Sequence, residues 1–185
     1  MDRAGVDKWF FLLSVGLMIL TGIEIIIFIV FSTAIEITVD SQQFTIMNLI
    51  FTSGLMNFDG GVLWVVILIT TCTYFVICLI LCRIARKKKL ADKVLGKSLL
   101  VLGVVLIMTA FMKMVYISLL ARTEITPPSI DFQTAVLTSP LAMTLWLYII
   151  AVTCGFLLVG LIFGAMGIKW FSHVESLEPK VEETK

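Results

Sequence analysis

The chain has 185 residues, 59% of them hydrophobic and 15% charged, with a mean hydropathy of +1.07 and a formal net charge of +1. A soluble domain of this length cannot bury that much apolar surface, so composition assigns the chain to the membrane class. The one dense basic run, in a short loop against a membrane, is too small to expect a nucleic-acid role, and a single histidine, His173 in the tail, leaves no Ser-His-Asp set within the apolar body.

The first apolar run, 9–34, exceeds the ~20 residues that a helix needs to cross a hydrocarbon core of about 30 Å. It is too long for a signal-peptide core, and no small-x-small cleavage site follows, so it reads as an uncleaved anchor. Glu24 lies within it, and Ser14, Thr21, Glu24 and Ser32 fall on one side, which predicts an inward polar face. In the next segment Phe44, Met47, Phe51, Leu55 and Phe58 recur at steps of three and four. That spacing predicts an amphipathic helix on the outer membrane surface or capping the bundle, with those five residues as its apolar face. Asp59-Gly60-Gly61 reads as a turn into a second span at 62–82, where Cys78 and Cys82 stand four apart on one face.

A basic loop follows, with Arg83, Arg86, Lys87, Lys88 and Lys89, then Lys93 and Lys97. A third span at 99–120 carries Lys113, with Met108 and Met112 on one side. The second outer segment opens on Pro127-Pro128-Ser129, which predicts a helix start capped by Ser129. Phe132, Val136 and Leu137 are its apolar residues, and Pro140 is expected to end it. A fourth span at 143–168 contains Gly160 and Gly164, and residues 171–185 form a polar tail expected to lack structure. Cations flank the spans mostly on one side, the outer loops holding only Arg122, so the positive-inside rule predicts cytoplasmic termini and a cytoplasmic basic loop; a cell membrane is the expected location. All four cysteines lie within predicted spans, which argues against an outer disulfide framework.

The chain also echoes itself. Glu36-Ile37-Thr38, Ser41 and Phe44 recur as Glu124-Ile125-Thr126, Ser129 and Phe132. Trp64, Ile67 and Thr71-Cys72 recur as Trp146, Ile149 and Thr153-Cys154. The order is kept, so the chain reads as a tandem pair of helix hairpins, 1–90 and 91–170. Both begin on the same side of the membrane, as parallel repeats do. The expected fold is an all-α integral membrane bundle of four transmembrane helices.

Each candidate site has a functional and a structural reading. Glu24 and Lys113 are the only charges well inside the spans, each about 22–24 Å up its helix at ~1.5 Å per residue. A buried ion pair is expected by default; a transport path is the functional alternative, and a Lys113 that snorkels outward beside Tyr116 is the third option. Gly160 and Gly164 form a Gly-x-x-x-Gly seam, with Cys78 and Cys82 as the corresponding small residues of the first hairpin, so a larger side chain at either glycine should break a close contact. Packing outweighs metal binding there, because a zinc site needs about four ligands. Cys72 and Cys154, at equal depth, are expected to be able to meet across the axis, and the methionines read as packing filler rather than a soft-metal path. Arg83, Arg86, Lys87, Lys88 and Lys89 suit anionic lipid head groups. No cofactor or metal is expected. The leading functional expectation is a non-catalytic structural or accessory subunit of a larger membrane complex; the expected partners are the lipid bilayer and a membrane protein, which favours this reading, or further copies of the chain in a homo-oligomer, which favours the alternative. The alternative is an oligomeric small transporter or channel using Glu24 and Lys113.

Overall fold

A computed structural model describes residues 3–86, 92–126 and 129–177. Four helices are long and apolar enough to cross a membrane: α1 (Arg3–Thr33), α3 (Phe58–Arg86), α4 (Asp92–Ala121) and α6 (Pro140–Leu177). They pack as a bundle, and the protein is an all-α integral membrane four-helix bundle. Neighbours around it run α1, α3, α4, α6 and back to α1, with α4 against α6 the most extensive contact and α1 against α3 the next.

At one end sits a cap. The strands β1 (Glu36–Val39) and β2 (Gln42–Thr45) form an antiparallel hairpin, followed by the short helix α2 (Ile46–Phe51). The second half repeats the order with β3 (Glu124–Ile125), β4 (Ile130–Asp131) and α5 (Phe132–Leu137). The two cap units touch: Thr126 N donates to Leu55 O at 2.8 Å, and Met56 bridges to Ile125.

The inner face of each long helix follows one rule. Buried positions on α1 include the series 10, 14, 17, 21, 24, 28 and 31; those on α4 include the series 99, 103, 106, 110, 113, 117 and 120. Both alternate steps of four and three, the 3.5-residue period of helices wound around a common core. The buried positions 64, 67, 71, 74, 78 and 81 of α3 match 146, 149, 153, 156, 160 and 163 of α6 in the same way. Only 28–33% of each span's most apolar window is buried inside the bundle, so most of the apolar surface faces outward.

Several expectations need correction. The outer segments begin with β-hairpins, which the amphipathic reading missed. Asp40 and Ser41 both have positive φ, 49° and 66°, as a two-residue hairpin turn requires. Ile37 and Val39 point inward while Glu36 and Thr38 face out. The side of the first outer helix that packs on the bundle is not the Met47–Phe51 stripe. Ile46, Leu49 and Ile50 are its buried residues, whereas Met47 and Phe51 are about half exposed at 47% and 50%. Period alone cannot choose between two apolar stripes; the cap's position over the bundle does. Ser129 does not cap a helix. It turns the second hairpin at φ 65°, and Asp131 occupies the N-cap position of α5. Pro140 does not end α5 but opens α6, where its missing N–H costs no helical hydrogen bond. Asp59, Gly60 and Gly61 lie in the first turn of α3 rather than in a turn before it. The helix also runs through 171–177, part of the predicted tail; 178–185 lie outside the described residues.

Candidate functional site

The apolar interior is divided into two clusters. Phe28 on α1, Ile67 on α3, Ile117 on α4 and Ile149 on α6 belong to the cap-side cluster. Leu17, Tyr74, Ala110 and Phe156, on the same four helices, belong to the other. Between them lie enclosed polar residues from all four helices: Glu24 of α1, with Thr21 one turn before it, Thr71 of α3, Lys113 of α4 and Thr153 of α6. The spacing creates this layer. Glu24 and Lys113 occupy the same step of the 3.5-residue pattern on α1 and α4, and Thr71 and Thr153 do so on α3 and α6.

Lys113 Nζ donates to Glu24 Oε1 in a salt bridge, with both side chains at 0% exposure. The two helices are diagonal in the bundle, so the pair meets at its centre. The ammonium also lies 5.2 Å from the centroid of the Tyr74 ring, within cation–π range. Tyr74 in turn stacks on Phe156, centroids 4.1 Å apart and planes 14° from parallel. Lys113 therefore does not snorkel outward beside Tyr116. A residue buried at the bundle centre cannot also reach the interface.

The hydroxyls around the pair do not extend it into a polar route. Ser14, Thr21 and Ser32 donate to the carbonyls of Phe10, Leu17 and Phe28, each four residues earlier, at 2.6–2.7 Å. Thr71 and Thr153 do the same to Ile67 and Ile149, at 3.0 and 2.8 Å. Each hydroxyl proton is thus used by its own helix. Among the described residues, three buried oxygens have no protein hydrogen-bond partner: Glu24 Oε2, Tyr74 Oη and Tyr148 Oη. On the cap side the pair is covered by aromatic rings. Phe28 stacks on Trp64 at 4.4 Å, and Phe31, Phe132 and Trp146 extend the cluster.

The seam residues divide. Gly160 is at a close approach: a Cβ there would lie 3.1 Å from the Gly103 carbonyl oxygen and 2.9 Å from Ile107 Cγ1. Gly164 is not crowded in the expected way, since a Cβ on it meets nothing within 4 Å. Its backbone is what is approached, because a Cβ on Gly103 would sit 2.5 Å from Gly164 N. The seam thus joins Gly103 and Gly96 of α4 to Gly160, Gly164 and Gly167 of α6, and the α4 glycines were missed. Cys78 and Cys82 are buried, with Cys78 Sγ 3.9 Å from Thr21 Oγ1 on α1. Cys72 and Cys154 are exposed on the bundle's outside, so they do not meet across its axis. Met108 and Met112 also face outward.

Arg83 is exposed; Lys87, Lys88 and Lys89 lie outside the described residues, as does the side chain of Arg86. Among the described residues no three His, Cys, Asp or Glu side chains converge. Thr71 and Thr153 were the polar-layer members that sequence reasoning passed over. The signal was present in the recurring Thr-Cys pair, whose threonine is buried and whose cysteine is exposed both times. No family model, curated protein or solved structure matches the chain.

Proposed function

We propose that the protein is a non-catalytic structural or accessory subunit of a larger membrane complex, and that the Glu24–Lys113 pair is an internal register pin. One observation carries this reading: the pair is enclosed between two apolar clusters, and the neighbouring hydroxyls are bonded to their own helices. A permeation path needs a continuous series of polar groups or water. The described interior offers aromatic rings above and below the pair instead. A buried ion pair is weak evidence for stability but suits specification of a unique arrangement. The outward apolar surface left by the bundle is the area available to a partner helix or to lipid.

The test is purification of the full chain in mild detergent with identification of co-purifying proteins. A membrane protein retained at fixed stoichiometry supports the subunit reading; a homo-oligomer with no partner overturns it. A second reading, an oligomeric transporter, rests on Glu24 Oε2, a buried acidic oxygen with no hydrogen-bond partner among the described residues. Flux through reconstituted vesicles that is lost in a stably folded Glu24→Gln, Lys113→Met double variant would favour it.

The halves are proposed to be a tandem duplication, with both termini and the basic loop in the cytoplasm and the cap outside. The matched burial positions support the first point, and the excess of cations away from the cap the second. Cysteines introduced at Ser41 and Ser129 in intact cells should react with an impermeant thiol reagent. Labelling at Lys88 instead reverses the orientation.

A further inference from the structure

Two clefts adjoin at the cap end of α3 and share Val62 as a common wall. The first, about 670 Å³, opens between the start of α3 and the end of α4. Its mouth carries Asn57, Asp59, Arg122, Thr123 and Glu124, and its floor is Val62, Leu63 and Leu119. The second, about 600 Å³, runs down the outside of α3 and is walled by apolar side chains, among them Phe51, Met56, Phe58, Val65 and Val66. Asp59 is in the first turn of α3 and Arg122 follows the last residue of α4, so the charges stand at the membrane boundary. Val62, Val65 and Val66 lie one and two turns deeper, in the apolar zone.

The charges in this cleft have three notable properties. Both signs are present in one mouth. Among the described residues, Asp59, Arg122 and Glu124 form no ion pair. Two of the three are also not imposed by the architecture: the corresponding positions of the other half, Leu141 for Asp59 and Thr33 for Arg122, are uncharged, whereas Glu124 has Glu36 as its counterpart. An anion suited to the Arg122 fork is a phosphate, which guanidinium groups bind through paired hydrogen bonds. A cation suited to Asp59 and Glu124 is an ammonium. A molecule carrying both, joined to an apolar chain that continues past Val62, is a zwitterionic phospholipid.

We propose that this double cleft binds a phospholipid whose head carries phosphate and a primary ammonium. The phosphate sits on Arg122, the ammonium between Asp59 and Glu124, and one acyl chain lies along the Phe58–Val62–Val66 wall. The proposal does not depend on the subunit reading or on which face of the membrane holds the cap. It requires only that the cap end of α3 lies at a bilayer surface.

The test uses the full chain in mild detergent doped with phosphatidylethanolamine or phosphatidylglycerol, and native mass spectrometry counts retained lipid. The expected result is one phosphatidylethanolamine per chain, in preference to phosphatidylglycerol. Arg122→Gln should reduce its retention roughly tenfold, the change that accompanies loss of one charge-assisted phosphate contact. Arg122→Lys, which keeps the charge but not the fork, should fall between the two. Asp59→Asn with Glu124→Gln should shift preference toward phosphatidylglycerol. Unfolding midpoints equal to the parent's identify variants that remain folded; if Arg122→Gln does not, the Arg122→Lys comparison stands alone. Equal retention of both lipids by the parent chain, or retention unaffected by substitution of Arg122, overturns the proposal.

Discussion

The α1–α3 and α4–α6 hairpins bury the same positions in the same period but join their helices by different means. In α4–α6 the backbones meet: a Cβ on Gly103 would lie 2.5 Å from Gly164 N, and one on Gly167 2.6 Å from Leu100 N. In α1–α3 side chains fill the gap. The position matching Gly103 is Ser14, whose hydroxyl bonds to Phe10 O at 2.7 Å; the position matching Gly160 is Cys78, opposite Thr21. In lipid no hydrophobic force favours one partner helix over surrounding acyl chains, so close packing and polar contacts decide association. The second hairpin relies on closeness and the first on shape. Across the bundle centre, matching positions carry opposite charges, Glu24 and Lys113. Two copies of a single hairpin related by symmetry would oppose like charges there. The pair therefore makes the halves distinguishable.

The largest expected effect comes from breaking that pair. Glu24→Gln or Lys113→Met alone leaves a buried charge without its partner, a loss of about 3–5 kcal/mol, read as a lowered unfolding midpoint or folded yield. The double change should recover most of it. The exchange Glu24→Lys with Lys113→Glu sharpens the comparison: if the halves are equivalent in shape, it folds nearly as well as the parent, and a collapse would show that they are not.

A smaller effect separates the two seams. Gly103→Ala inserts a methyl against backbone that cannot rotate away and should cost about 1–3 kcal/mol, as overpacking does. The matching Ser14→Ala should cost less than about 1 kcal/mol, since it loses only a bond within its own helix. Equal losses in a denaturant titration would erase the proposed difference between the hairpins. The smallest effect distinguishes glycines within one seam. Gly164→Ala meets open space and gains helix propensity, so it should be within about 0.5 kcal/mol of neutral or slightly stabilising. A loss as large as that of Gly103→Ala would mean that the approach at Gly164 is closer than its open Cβ position implies.

Four apolar runs of spanning length allowed only one kind of backbone in lipid, which is why the four helices were legible in the sequence. The repeated Glu-Ile-Thr and Trp-x-x-Ile segments fall at matching places in the two halves, the first in the leading strand of each cap hairpin, which the sequence did not reveal as a strand. The inner face was harder to read. A lipid-facing and a core-facing position both favour apolar residues, so hydropathy hardly varies around these helices. Burial at 3.5-residue spacing had to be seen in the packing. Glu24 and Lys113 could be paired by depth because isolated charges in lipid are costly. That Thr71 and Thr153 complete their layer, that Cys72 turns outward, and that Gly103 rather than Gly164 lacks room all depend on how each helix is rotated about its axis. Rotation is set by the close approach of α4 to α6 and by the cap over α1 and α3, contacts between residues far apart in the chain that local periodicity cannot encode.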